Sequence, residues 1–170
     1  MLNLTSGTSV ADIGAGSGYF AIPFARTIAP AGRLFAVDLQ PEMLEFLAAK
    51  LRTSEAPSNL ELIAGDATAT NLADASCDLA FLGNVWHELD DQALVLLEMT
   101  RILRPGGRLA ILDWRTDVPN PPGPPAGHRI AATDAAKVLK DAGWQILQAT
   151  NVGSYNYLIE AAALTLPHTA

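Results

Sequence analysis

ADIGAGSGYF, residues 11–20, places Gly14, Gly16 and Gly18 on alternate positions directly behind an apolar run. Glycine loses more conformational freedom on folding than any other residue. Three of them within five positions mark a place where the backbone must turn tightly or be approached closely. The run before them, TSVADIG (8–14), reads as a short buried strand, and Phe20, Phe24 and Ile28 follow at helical spacing. The glycines therefore sit in the loop between a strand and a helix.

The same alternation runs through the chain. GRLFAVDL (32–39) reads as a second strand. Pro41 suits the first position of a helix, with Leu44, Leu47, Ala48 and Leu51 as its apolar face. NLELIAGD (59–66) and CDLAFLGNV (77–85) are a third and a fourth strand. Asp90 or Asp91 is placed to cap the next helix, whose face includes Ala93, Leu96, Leu97 and Leu103, and RPGG (104–107) stops it. GRLAILDW (107–114) is a fifth strand. VPNPPGPPAG (118–127) is too rich in proline for helix or central strand and reads as a stiff exposed loop; His128 and Arg129 behind it read either as part of a solvated loop or as arms across the mouth of a site. Thr133 is expected to cap a helix that Gly143 ends. WQILQATNV (144–152) and NYLIEAAAL (156–164) form two last strands joined by a turn at Gly153. Near-continuous apolar strands separated by helices imply a parallel sheet covered on both faces. The last pair, with no helix between, implies an antiparallel hairpin. The reading is an α/β, doubly wound, Rossmann-like sheet of seven strands in one domain over residues 1–170.

Composition narrows the partners. Of 170 residues 49% are hydrophobic and 17% charged, the balance of a globular chain. The net charge of -7, with lysines and arginines scattered, speaks against nucleic acid. No apolar run reaches the roughly 20 residues that span a bilayer, and the N-terminus lacks a signal-peptide pattern. A single cysteine, Cys77, fits a reducing cytoplasm and reads as a small packed residue.

In open α/β sheets, ligands bind outside the carboxyl ends of the strands where the strand order reverses. The loop after the first strand normally lies there, so the glycines would let a ligand press against backbone N–H groups at a helix start. The dinucleotide pattern G-x-G-x-x-G would need a third glycine at Tyr19; the sequence has G-x-G-x-G instead. Asp38, ending the second strand, reads either as an acceptor for both ribose hydroxyls or as a helix cap. Asp66, ending the third, reads either as an acceptor for an exocyclic amine such as that of adenine or as a loop residue.

Taken together, VADIGAGSGYF, AVDLQPEML, GDAT, CDLAFLGNVWHEL and LRPGGRLAILDW resemble the motifs of the class I S-adenosylmethionine-dependent methyltransferases, over roughly residues 8–163. The nearest flavour is the small-molecule group that includes the ubiquinone and menaquinone C-methyltransferases. The resemblance implies S-adenosyl-L-methionine as cofactor, leaving as S-adenosyl-L-homocysteine. It implies a loop of Gly14, Ala15, Gly16 and Gly18 around the methionine part, with Asp12 nearby. Asp38 would hold the ribose, Leu39 would pack on adenine, Asp66 and the Ala67 backbone would read the adenine edge, and Asn84 would lie beside the departing methyl. The sequence departs from the NPPY-type signature of adenine and glutamine N-methyltransferases, and one cysteine is too few for an arsenite methyltransferase. About seven residues precede the first strand, where relatives usually carry covering helices. This leaves an open site, a lid from a second subunit of a homodimer or from the proline loop, or a fragment.

Methyl transfer from a sulfonium is a direct displacement whose leaving group departs neutral, so it calls for no metal. Placement and exclusion of water dominate. Where a small-molecule acceptor must lose a proton, His87 is the candidate base, or else it merely lines the pocket; Trp86 beside it reads as core. An NAD-dependent oxidoreductase and a catalytically idle cofactor-binding module remain as the other two readings.

Overall fold

Every residue of Ser9–Ile13 is buried, and this first strand, β1, lies in the middle of the sheet. The computed structural model describes residues 2–52, 56–119 and 122–164. After β1 come α1 (Ala21–Ile28), β2 (Arg33–Asp38), α2 (Pro41–Lys50), β3 (Leu60–Ala64), β4 (Cys77–Gly83), α3 (Gln92–Ile102), β5 (Leu103–Trp114), α4 (Ala132–Asp141), β6 (Trp144–Val152) and β7 (Asn156–Ala163). The sheet runs β3-β2-β1-β4-β5-β7-β6. β1 pairs in parallel with both β2 and β4, while β7 pairs antiparallel with β5 and β6. The expected seven-stranded α/β sheet with its C-terminal hairpin is therefore present. The chain leaves β1 toward β2 and β3 on one side and returns to β4 on the other, which makes the β1–β4 edge the switch point.

Alternation along the strands divides the core between two faces. Val10, Leu34, Ala36, Leu79 and Phe81 pack with α1 and α2, whereas Ala11, Ile13, Val37, Ala80 and Leu82 pack with α3 and α4. Asp12 shares the parity of Val10, so its carboxylate points to the α1 side, beneath the glycine loop. Phe20 and Phe24 meet Phe81 edge-on, with ring centroids 5.0 Å away in each case, and so anchor the start of α1 to β4.

Three local expectations are corrected. The buried apolar residues of α3 are Val95, Leu96, Met99 and Ile102, while Leu97 is 67% exposed and Ala93 is also exposed. The run ALVLL offers two overlapping stripes at helical spacing, and contact with the sheet selects the one that Met99 and Ile102 continue. Thr133 lies inside α4, and no side chain caps that helix; Gly143 does follow its end, at φ +81°. β5 begins at Leu103, directly behind α3, and takes in the RPGG segment. Elsewhere Asp91, of the two candidates, caps α3 through the Leu94 N–H, and Pro41 opens α2.

The proline loop folds over Trp114 at the end of β5. Gly123 lies against the indole ring. Arg129 donates to the Pro124 carbonyl at 2.6 and 2.9 Å and to the Arg115 carbonyl at 3.1 Å. Arg129 is thus a brace for the loop rather than an arm across the mouth. Asn120 and Pro121 lie outside the described residues.

A buried charge that sequence reading missed ties α3 to the segment after β3. Glu98 is 7% exposed and accepts the Thr70 N–H and hydroxyl at 2.7 and 2.6 Å, while Arg101 donates to both its oxygens at 2.7 Å. These donors, the Arg101 guanidinium foremost, hold its pKa at about 2. A carboxylate depressed in the native state contributes stability above its unfolded value near 4.5, and loses it as pH falls toward 2. Glu98→Gln is expected to cost about 2–3 kcal/mol at pH 7 and to flatten acid unfolding between those values. Urea titrations of both proteins at pH 7 and pH 3 check this.

Candidate functional site

A cavity of about 570 Å³ opens at the carboxyl ends of β1, β2 and β3, beside the segment that leads from β4 to α3. Six of the predicted residues line it: Gly14, Gly16, Asp38, Leu39, Asp66 and Ala67. Local rules put them there. Each carboxylate terminates or follows a parallel strand, and parallel strands deliver their carboxyl ends to one edge.

The three glycines serve three different purposes, all at positive φ. A Cβ on Gly14 would come within 2.4 Å of Val85 Cγ2, and one on Gly18 within 2.4 Å of Leu47 Cδ1, so these two allow close packing against the post-β4 segment and against α2. A Cβ on Gly16, at φ +53°, would meet nothing within 4 Å. Gly16 is the position that leaves room for something outside the protein.

The loop's N–H groups are largely spent within the fold. Gly14 and Ala15 donate to the Val37 carbonyl at 2.8 and 3.0 Å, Gly18 to Ala15 at 2.9 Å, and Gly16 to Asp38 Oδ2 at 2.7 Å. This corrects the expectation that a ligand would press on those donors. Asp38, 8% exposed, also accepts the Gln40 N–H through Oδ1 at 2.9 Å. It therefore joins the glycine loop to the residue before α2, a role not foreseen, and no side chain caps α2.

Asp12 lies outside the cavity lining, 1% exposed, with Oδ2 lacking any hydrogen-bond partner among the described residues. Burial above all, then the charge of Asp38, pushes its pKa up to about 8, against the opposing pull of the Ala21 N–H. Asp66, which lines the cavity, uses Oδ1 to accept the Thr68 N–H and hydroxyl at 2.8 and 2.6 Å, which lowers its pKa.

The remaining predicted residues are placed differently. Ala15 is buried among the α1-side core and Gly18 is packed under Leu47. Asn84, at φ +59°, accepts from Asn156 Nδ2 at 2.9 Å and does not line the cavity. Trp86 is fully buried in the core, as expected. His87 lies on a short 3-10 turn, Trp86–Glu88, with its ring against Asp113. Sequence reading missed Asp113, although the strand-end rule that selected Asp38 and Asp66 also applies to it. It also missed Glu88, Asp90 and Asp91, which line the cavity with Met43 and Val85.

Five carboxylates, Asp38, Asp66, Glu88, Asp90 and Asp91, line the cavity, and no lysine or arginine does among the described residues. Such a site repels a pyrophosphate and attracts a cation. No described helix is long and apolar enough to cross a membrane, and no described cluster suits a metal.

Fold and site together define a doubly wound α/β protein with a nucleoside-sized cavity at its switch point. Comparison with known proteins makes this specific. The family model described as a methyltransferase domain matches residues 11–111. Demethylmenaquinone methyltransferase of Listeria welshimeri is 34% identical over 123 residues, which is 72% of this chain and 51% of that protein. The Lactococcus lactis protein of the same name is 32% identical over 108 residues, 64% of this chain and 42% of its own. The chain spans about half the length of the curated relatives it matches. Among solved structures, a SAM-dependent methyltransferase from Aquifex aeolicus superposes with a TM-score of 0.89 at 27% identity, covering 94% of this chain and 84% of that one. The [4+2]-cyclase SpnF shares the fold at a TM-score of 0.79 and 18% identity, over 94% and 76% of the two chains. The chain belongs to the methyltransferase-domain family, the S-adenosylmethionine-dependent class I methyltransferases.

Proposed function

We propose that this chain binds S-adenosyl-L-methionine in the cavity at the switch point and methylates a small-molecule acceptor. The observation that carries the reading is the character of that cavity: five carboxylates, no described cation, and a glycine loop whose donors are already used. It suits a cationic nucleoside and disfavours a phosphate-bearing one. The orphaned Asp12 Oδ2 and the open position at Gly16 also fit such a group. Gly14 and Gly16, which line the cavity, would hold its amino-acid part. Asp38 would hold the ribose, and Leu39, Asp66 and Ala67 the adenine. When bound, the sulfonium supplies an electrophilic methyl whose leaving group departs neutral. The chain's own residues orient the reactants and keep water out, and His87 is the group able to take a proton. The relatives' name points to a quinone ring as the first acceptor to test. A single buried cysteine suits a cytoplasmic setting.

Calorimetry with S-adenosylmethionine, S-adenosylhomocysteine and NAD tests the reading. Saturable heats are expected for the first two and none for NAD; the reverse pattern would refute it. Asp38→Ala is expected to weaken cofactor binding by about 1.5–3 kcal/mol, the range for hydrogen bonds to a charged group. Unaltered affinity in a variant with a native circular dichroism spectrum would remove Asp38 from the ribose.

A further inference from the structure

We propose that a second cavity, between the end of β5 and the start of α4, is a binding site for a small monocarboxylate. It is separate from the cavity assigned to the cofactor: no residue lines both.

This cavity measures about 270 Å³. Its lining comes from three places: residues 115–117 directly behind β5, residues 131–133 at the start of α4, and Asn151 and Tyr157 from the C-terminal hairpin. Sheet register assembles the hairpin's share, because Tyr157 pairs with Asp113 of β5 on one side and with Asn151 of β6 on the other.

Tyr157 supplies the observation that points to a ligand. It is 1% exposed, and its hydroxyl has no hydrogen-bond partner among the described residues. A buried hydroxyl left without a partner is costly, and most such groups find one. Burial first, then the charges of Asp113 and Asp134, push its pKa upward, so it stays protonated and offers a donor. Asp134 lies in the first turn of α4. Its reach to the phenol places the hydroxyl end of the ring toward the helix start that lines the cavity. Asp113 does not take this proton: it already accepts the Trp114 and His87 N–H groups and faces His87 Nδ1.

α4 and Arg115 bring further donors. No side chain caps this helix of ten residues. The Ala131 carbonyl accepts the Asp134 and Ala135 N–H groups, while those of Ala132 and Thr133 have no acceptor among the described residues. Arg115 gives Nε and Nη2 to Asp117 at 2.8 and 2.9 Å, which leaves Nη1 uncommitted. Donors therefore outnumber free acceptors around the cavity, and the group that satisfies them is an acceptor. A helix N-terminus beside a guanidinium favours an anion. The acids around it, Asp113, Asp117 and Asp134, count against a second negative charge, which selects a carboxylate over a phosphate. An apolar cavity of about 150 Å³ is enough for benzene, so this one has room for a benzoate. The cofactor cavity, with its five carboxylates, would repel the same ligand.

Backbone-amide NMR on the full chain tests this, with sodium benzoate as the probe and benzylamine and benzyl alcohol as the cationic and neutral controls. Benzoate is expected to shift the Ala132, Thr133 and Tyr157 amides saturably, and to do so equally in excess S-adenosylmethionine. The two controls are expected to leave them in place. Tyr157→Phe should weaken benzoate binding at least about 10-fold, as for one hydrogen bond to a charged group. It should melt no lower than the wild type, because the hydroxyl it removes has no partner within the fold. Asp117→Asn, at an exposed position, should tighten binding by freeing Arg115 from a competing carboxylate. No saturable shift at Ala132 and Thr133, equal shifts from either control, or displacement of benzoate by S-adenosylmethionine overturns the proposal. So does unchanged affinity or a clearly lowered melting temperature in Tyr157→Phe, or unchanged or weaker binding by Asp117→Asn. The titration without cofactor gives its result whether or not the protein binds S-adenosylmethionine, so failure of the methyltransferase reading is seen separately.

Discussion

Gly16→Val is expected to abolish S-adenosylmethionine binding while leaving the protein folded. Gly16 sits at φ +53°, where a β-branched residue is strained, and that strain is expected to cost about 1–2 kcal/mol of stability. A Cβ there meets no protein atom within 4 Å, so the fold itself does not resist the side chain. The isopropyl group would instead stand in the cavity that Gly16 lines, beside the Asp38 carboxylate that holds the Gly16 N–H. The dissociation constant should rise by more than about 100-fold, a loss of roughly 3 kcal/mol, with a melting temperature lower by a few degrees. Gly14→Ala and Gly18→Ala make the contrast, because their new methyls would collide with Val85 and Leu47 at 2.4 Å and are expected to act on stability first. Calorimetry and thermal melts on the three variants separate the effects. Undiminished affinity in folded Gly16→Val would mean that the ligand lies elsewhere.

A comparably large effect is expected from Asp12→Asn, this time on the pH dependence of stability. Burial and the neighbouring Asp38 raise the Asp12 pKa from 3.8 to about 8. Between those values the native protein holds a proton that the unfolded chain has released, so stability falls as pH rises across the window and is level outside it. The full swing from this one group is on the order of 5 kcal/mol. Asparagine has no proton to retain. Relative to wild type, Asp12→Asn should therefore gain several kcal/mol between pH 4.5 and pH 8.5, whatever its offset at the acid end. Urea unfolding at the two pH values measures the difference directly. Parallel pH dependence in the two proteins would show that native Asp12 is ionised throughout.

These two positions differ in how readable they are. That the glycine loop needs open backbone follows from ADIGAGSGYF alone, since positive φ and close approach are properties of glycine itself. Which glycine has open space around it does not, because the answer is set by Val85 and Leu47, residues 71 and 29 positions away from the glycines they touch. Asp12 reads as one acidic residue in an apolar strand. Its raised pKa comes first from its burial in the folded sheet and then from Asp38, which the β1–β2 pairing brings near.

The amino-acid sequence by itself determined the seven strands, their alternation with helices, the antiparallel end of the sheet, and the acids at the ends of the second and third strands. All of these rest on local causes: side-chain period, glycine and proline at turns, and the rule that parallel strands present their carboxyl ends to one edge. Tertiary structure alone decided which stripe of α3 is buried, that Arg129 braces the proline loop, that Glu98 is a buried anchor for Thr70, and that His87 faces Asp113. Glu98 is 28 residues from Thr70, and His87 is 26 from Asp113. No period or turn signal spans such distances. His87 meets Asp113 because β4 and β5 pair in parallel and bring their carboxyl ends side by side, whereas Glu98 meets Thr70 where α3 packs against the segment between β3 and β4; burial in each place requires the polar groups to find partners.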